Sequence, residues 1–190
     1  MEKGKIIYLN GVTSTGKTSI ARVIQDTAND FFYLIGSDIL MYMVGEKHRS
    51  VNYTKYEYEI FIDMYHIAKL LSDMGKNVII DCALFETSEL PNHYQRMMNI
   101  LHDNPLLTVN VICPLEICRE RNLQRGDRRE FQSYEQDKII DKTITFDFIV
   151  NTDKYSSEEC AKMILDKVKE IWQSVLKLLD KSVEKGYLDK

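Results

Sequence analysis

Runs that are apolar at nearly every position recur along the chain, at Lys5–Leu9, Phe32–Ile35, Asn77–Asp81, Leu106–Ile112 and Phe148–Val150. Strands covered on both faces read this way, whereas a strand with one wet face alternates. Between them lie segments with helical spacing: Tyr58, Phe61, Ile62, Tyr65 and then Leu70 before Gly75, and Leu115, Cys118 and Leu123 after Pro114. Strand and helix alternate, which predicts an α/β fold: a five-stranded parallel sheet between two layers of helices. A last helix is predicted from Ser156-Ser157-Glu158-Glu159, where serine can cap and the acids suit the positive helix end. Its apolar stripe runs Cys160, Met163, Ile164, Val168, Ile171, Trp172, Val175, Leu176 and Leu179. The opposite face mixes Glu and Asp with Lys, so core packing fits it better than a membrane surface.

At 190 residues the chain has room for one domain of ordinary size, predicted over 1–180, with 181–190 as a frayed tail. Apolar residues make up 44% and charged residues 28%, the composition of a globular chain with a real core. Twenty-five basic against 29 acidic side chains leave a net charge of −4, which offers no general attraction to nucleic acid or anionic membranes. No apolar run reaches the ~18 residues of a membrane span, and the N-terminus runs straight into a strand. A cytoplasmic protein is expected. Cys82, Cys113, Cys118 and Cys160 lack the spacing of metal or redox motifs and are expected as reduced thiols. The four histidines show no metal spacing either.

Gly11-Val12-Thr13-Ser14-Thr15-Gly16-Lys17-Thr18 matches G-x-x-x-x-G-K-S/T in full, after a predicted strand and before a predicted helix, Ser19–Asp26. Backbone amides of Gly11, Thr13, Ser14, Thr15 and Gly16 can wrap an anion at the positive end of that helix. Lys17 adds a mobile cation for the β- and γ-phosphates, and Thr18 a hydroxyl suited to Mg²⁺. A dinucleotide fingerprint would need glycine at position 13, where Thr13 stands. The expected ligand is a nucleoside triphosphate, ATP, with Mg²⁺.

Ligands of open α/β sheets bind beyond the carboxyl ends of the strands, so acids that close apolar runs carry information. Asp81 ends Asn77-Val78-Ile79-Ile80-Asp81 and is expected to help hold Mg²⁺, unless it caps the next helix. Asp38 follows Phe32-Tyr33-Leu34-Ile35-Gly36-Ser37 and is the candidate base for a hydroxyl attacking a γ-phosphate; its competing reading is a helix N-cap. Five of the eight arginines, Arg119, Arg121, Arg125, Arg128 and Arg129, fall within eleven positions. This segment, about 119–135, is expected to form a lid over the transferring phosphate, with Arg125 and Arg128 as the reaching members; a solvated helix balanced by Glu116 and Glu120 is the alternative.

Taken together, these residues resemble the chloramphenicol phosphotransferase family of small P-loop kinases. The likeness runs through Ile6-Ile7-Tyr8-Leu9-Asn10-Gly11, Gly16-Lys17-Thr18, Gly36-Ser37-Asp38, Val78-Ile79-Ile80-Asp81, Arg125-Gly126-Asp127-Arg128, Phe146-Asp147, Asn151-Thr152 and Glu158-Glu159-Cys160. The resemblance implies a P-loop kinase fold, Asp38 as base, Lys17 and Thr18 as nucleotide and Mg²⁺ ligands, and Arg125 and Arg128 as lid arginines. Cys82 stands where the family pattern has a second acid, and Thr143, Ile144 and Phe146 replace its histidine and tyrosine.

The reading is an ATP-dependent phosphotransferase acting on a hydroxyl of a small molecule, an antibiotic such as chloramphenicol among the acceptors. A nucleotide or sugar kinase with the same parts, or a regulatory NTPase that transfers phosphate to water, are the alternatives. The acceptor pocket is expected between Ile39 and Tyr65, near Met41, Tyr42, Met43, Tyr53, Tyr56 and Tyr58, although such residues at helical spacing more often build core.

Overall fold

The computed structural model describes the backbone of residues 2–51 and 53–188 and the side chains of 2–48 and 56–172. Five strands form one sheet: β1 (Ile6–Asn10), β2 (Phe32–Gly36), β3 (Asn77–Asp81), β4 (Leu106–Ile112) and β5 (Phe148–Asn151). Their order is β2-β3-β1-β4-β5 and every pairing is parallel. The apolar runs therefore became strands nearly as predicted, each of β1, β2 and β5 shifted or lengthened by one residue at its C-terminal end.

Every residue of the central strand β1 is buried, and the period of two divides it between two cores. Ile6 and Tyr8 join Val78 and Ile80 on one face, packed under helices α4 (Tyr53–Asp73) and α5 (His93–Leu101). Ile7 and Leu9 join Ile79, Leu107 and Val109 on the other, under α1 (Lys17–Thr27) and α8 (Ser157–Leu188). The remaining helices are α2 (Ser37–Met41), α3 (Glu46–Val51), α6 (Leu115–Arg125) and α7 (Gln132–Asp137).

The start of α8 is a capping box: the Glu159 amide donates to Ser156 Oγ at 3.2 Å and the Ser156 amide to Glu159 Oε2 at 2.8 Å. Cys160, Ile164 and Val168 of its stripe are buried. Val175, Leu176 and Leu179 lie outside the described side chains. The helix runs on through Leu188, past Lys181 where the sequence predicts fraying. From 181 to 188 one glycine, Gly186, interrupts residues that mostly favour helix, and its cost of about 1 kcal/mol does not break the run. All four cysteines are free, three of them buried. Among the described residues no helix is long and apolar enough to cross a membrane.

Parallel register brings the carboxyl ends of the central strands level. Leu9 and Gly36 both pair with Asp81, and Asn10 pairs with Asn110. The segment after each strand is thus delivered to one edge: the glycine loop beyond β1, α2 beyond β2, Asp81 and the turn at the end of β3, and α6 beyond β4.

Candidate active site

The loop between β1 and α1 bends where only small residues fit. Gly11 has φ of +146°, and a Cβ there would meet the Val111 carbonyl oxygen at 2.4 Å. Gly16, at φ +99°, sits against the Thr152 side chain. Ser14 also takes a positive φ, 62°. The Thr152 hydroxyl donates to the Thr15 carbonyl at 2.6 Å and so ties the loop to the end of β5.

This loop borders a cavity of about 730 Å³ at the carboxyl edge of the sheet. Gly11, Thr13, Ser14, Gly16, Lys17 and Thr18 line it, as do Asp38, Asp81, Arg125 and Arg128. Thr15 is the exception among the expected residues. Its side chain is 2% exposed and donates to the Val12 carbonyl at 3.0 Å, which shapes the loop from within.

The cations and donors of the cavity are held by protein groups. The Lys17 ammonium donates to the Gly11 and Val12 carbonyls at 2.8 and 3.0 Å and lies 4.0 Å from Asp81. The Thr13 amide donates to Gln136 Oε1 at 2.6 Å. The Thr18 hydroxyl donates to Asp81 Oδ2. A hydroxyl beside a carboxylate at the phosphate loop is the oxygen donor pair that Mg²⁺ takes, with phosphate oxygens and water completing its shell. Among the described residues there is no cluster of three or more His, Cys, Asp or Glu able to hold a metal.

Neither acid at a strand end serves as a helix cap. The N-cap of α2 is Gly36, with no side-chain cap bond, which leaves the Asp38 carboxylate facing the cavity from the first turn. There Asp38 Oδ2 accepts from Arg128 Nη2 at 2.8 Å. Asp38 and Arg128 are ninety residues apart in the chain, and the fold closes that distance over the mouth of the phosphate loop.

The arginines divide by their partners. Arg121 donates to the Ser14 carbonyl at 3.2 Å and to the hydroxyl and carbonyl of Thr152 at 3.0 Å, a clamp across the back of the loop. Arg119 pairs with Glu130 and lies 5.0 Å over the Phe131 ring. Arg129 pairs with Glu135. Arg125 is held by Asp127, two residues on, at 3.1 and 3.2 Å. The acids that balance the segment are therefore Glu130, Glu135, Asp127 and Asp38, and beyond Gly126 the chain forms a short helix, α7.

The segment expected to hold an acceptor reaches the cavity through other residues than those named. Ile39, Glu57 and Phe61 of the segment 39–65 reach the cavity, together with Cys82, Ala83 and Phe85 after β3. Met41 is core, Tyr42 and Met43 are exposed, Tyr58 accepts from Thr87, and Tyr56 meets His48. Tyr53 lies outside the described side chains. The reason is helical phase: on α4, Glu57 and Phe61 are four apart and share the face turned to the cavity. Among the described residues no group of opposite charge pairs with Glu57, and burial, reinforced by the Asp38 charge, pushes its carboxyl up to about 7. Burial, with Asp81 beside it, likewise pushes the Cys82 thiol up to about 12, which makes it a packing residue at neutral pH.

Sequence reasoning also missed Asn10, Asn122 and Gln136. Asn10 donates to Asn110 and accepts from the Leu84 amide at 2.8 Å, fixing the turn after β3. Asn122 accepts from the Ser14 hydroxyl at 2.7 Å and also donates to the Glu130 carbonyl. No motif gives these residues a role, although Asn10 stands in the run that carries the family resemblance, since each acts on the site through a partner more than seventy positions away.

A glycine loop followed by Lys-Thr, an acid closing β3, an acid opening α2 and an arginine-rich segment beside them on a five-stranded parallel sheet define a phosphotransferase of the P-loop kinase fold. The sequence pattern of chloramphenicol phosphotransferase-like proteins matches residues 4–169, and the chain belongs to that family. A Mycobacterium tuberculosis protein named "Putative O-phosphotransferase" is 25% identical over 182 residues, 85% of this chain and 81% of that protein. Among solved structures, the APS kinase of M. tuberculosis in complex with AMPPNP and APS superposes with a TM-score of 0.66 at 20% identity, covering 90% of this chain and 99% of that one. Shikimate kinase from Acinetobacter baumannii in complex with shikimate gives 0.60 at 18% identity over 89% and 95%. At such identities the two superpositions speak for the fold.

Proposed function

We propose that the protein transfers the γ-phosphate of ATP to a hydroxyl of a small molecule, with an antibiotic alcohol such as chloramphenicol as the first acceptor to try. The observation that carries this reading is Asp38, an uncapped carboxylate on the cavity wall beside the phosphate loop, held by the lid residue Arg128.

The loop amides of Gly11, Thr13, Ser14 and Gly16 and the ammonium of Lys17 bind the triphosphate at the positive end of α1. Lys17 leaves the Gly11 and Val12 carbonyls, and the Thr13 amide leaves Gln136, as phosphate oxygens replace them. Thr18 and Asp81 are the residues that would hold Mg²⁺, which when bound neutralises charge on the β- and γ-phosphates.

Asp38 accepts the proton of the acceptor hydroxyl, whose oxygen forms the new bond to γ-phosphorus. The bond from γ-phosphorus to the β–γ bridging oxygen breaks, and ADP departs with that electron pair. Arg128 passes from Asp38 to the transferring phosphoryl oxygens, which frees the base and supplies charge where charge develops. Arg125 supports it from the same lid, and closure over the cavity excludes water.

The test is a screen for transfer of labelled γ-phosphate to chloramphenicol, aminoglycosides, nucleosides and sugars, run beside Asp38→Asn. The variant is expected to bind ATP as the native chain does and to lose transfer by roughly two to four orders of magnitude. Native turnover in Asp38→Asn removes the base assignment, and release of phosphate to water alone removes the kinase reading.

A further inference from the structure

Among the described residues, Glu57 is the one carboxyl on the cavity wall that the phosphoryl-transfer machinery leaves unused. It sits half-buried on α4, a turn before Phe61, on the flank where β2 and β3 end, with Ile39, Ala83 and Phe85 around the same space. Its side chain lines that space, and no hydrogen bond or ion pair to it is seen among the described residues. Leaving an acid against aromatic and aliphatic walls is costly unless something arrives to meet it. Asp38 is close enough for its charge to act on Glu57, so two acids border one side of the cavity.

Resting on the kinase reading of the same cavity, we infer that Glu57 is an acceptor-binding residue that receives a second hydrogen-bond donor of the substrate, a hydroxyl or an ammonium, while Asp38 receives the hydroxyl to be phosphorylated. The acceptor class is then an aromatic or aliphatic body carrying two donors close together, a diol or an amino alcohol, and not a simple alcohol. Discrimination arises as in any site built to hydrogen-bond its ligand, because a compound lacking the second donor leaves Glu57 unmet. The charged and titratable groups that line the same cavity are Asp38, Asp81, Cys82, Lys17, Tyr155, Arg22, Arg121, Arg125 and Arg128, and of these Asp38 acts on Glu57 directly. The carboxylate form binds both donors best, so affinity for such acceptors rises with pH through about 7, where Glu57 ionises.

Two measurements on the full chain test this. The first is thermal melting of the native protein and Glu57→Gln between acid and mildly alkaline pH. Glu57→Gln is expected to melt higher than native above pH 7 and to differ little at acid pH, and an identical pH dependence in both would overturn the inference while leaving Asp38 and the kinase reading intact. The second is labelled phosphate transfer to 2-phenylethanol, 1-phenylethane-1,2-diol and 2-phenylglycinol, a set differing in the second donor alone, beside chloramphenicol. Glu57→Gln is expected to raise the acceptor KM about 10- to 100-fold for the two-donor compounds, with the ATP KM unchanged and the pH slope of the acceptor KM abolished. A better response to the diol than to the amino alcohol, or the reverse, tells hydroxyl from ammonium. Equal use of all three compounds by the native enzyme, or an unchanged KM in the variant, overturns the assignment of Glu57 alone. Transfer to none of the four overturns the inferred acceptor class and leaves the kinase reading to the wider panel, where release of phosphate to water alone would end it.

Discussion

The side chains at the mouth of the phosphate loop are set against one another, cation to anion, and the proposed transfer has them exchange partners. Arg128 pairs with Asp38 at 2.8 Å, and in the proposed reaction the arginine moves from that carboxylate to phosphate. Arg128→Ala is expected to lower turnover by about 10- to 1,000-fold while changing ATP affinity by less than about tenfold, because the interaction forms chiefly as phosphoryl charge develops. Steady-state kinetics with separate KM and kcat values check this, and an unchanged kcat would return Arg128 to a surface ion pair. Arg121 is a different case despite its neighbourhood. Its three hydrogen bonds end on Ser14 and Thr152, so its loss would loosen the loop and show in nucleotide binding.

Helix α5 enters the core on an amphipathic face whose first residue is polar. His93 is fully buried at its N-terminus, between the Phe61 ring, stacked at 5.2 Å, and Tyr65. Nδ1 lies 3.1 Å from the Phe85 carbonyl, which accepts only, so Nδ1 carries the proton and Nε2 accepts from the Tyr65 hydroxyl at 2.6 Å. The Tyr65 oxygen lies 3.3 Å from that of Tyr8 on β1. The chain of bonds thereby links α5, α4 and the central strand beneath the Phe61 and Phe85 wall. Burial is the main reason the imidazole is held down at about 4. An unfolded histidine takes up its proton near 6.5, so the folded state is favoured by a neutral His93 above that pH and loses the advantage as pH falls towards 4. His93→Phe is expected to flatten the acid limb of the stability curve between about pH 6.5 and 4, while costing about 1–3 kcal/mol at pH 8 because Tyr65 loses its acceptor. Urea melts across that pH range and at pH 8 measure both effects.

At the level of the whole molecule, the sheet order gathers the site. Strands that are neighbours in space but remote in sequence end level, so a loop that begins at Gly11, the acids Asp38 and Asp81 and the guanidinium of Arg128 share one cavity. A ligand bound across these elements stabilises all of them together. ATP with Mg²⁺ at 100 times its Kd is expected to raise stability by about 2.7 kcal/mol, seen as a higher Tm in a melt. In Lys17→Ala, which keeps the fold but loses the cation at the phosphates, that shift should vanish along with transfer. A shift of native size in Lys17→Ala would mean that nucleotide binds elsewhere.

The chain of residues by itself determined the layered α/β architecture, because strands buried on both faces must be apolar throughout and five such runs are plain to see. It also determined the phosphate loop, whose eight residues are contiguous and whose glycines and lysine have few other uses in that order. Asp38 and Asp81 were legible as acids at the ends of apolar runs. Only the tertiary structure decided what lies opposite them. Glu57 looks like any helix-surface acid until the phase of α4 turns it to the same side as Phe61 and towards Asp38. Gln136, Asn10 and Asn122 carry no local signal, since a side-chain amide takes its role from whatever backbone or side chain it meets. Periodicity and contiguous motifs are short-range information, whereas an acceptor pocket is assembled from single residues that register and packing bring together across the whole length of the chain.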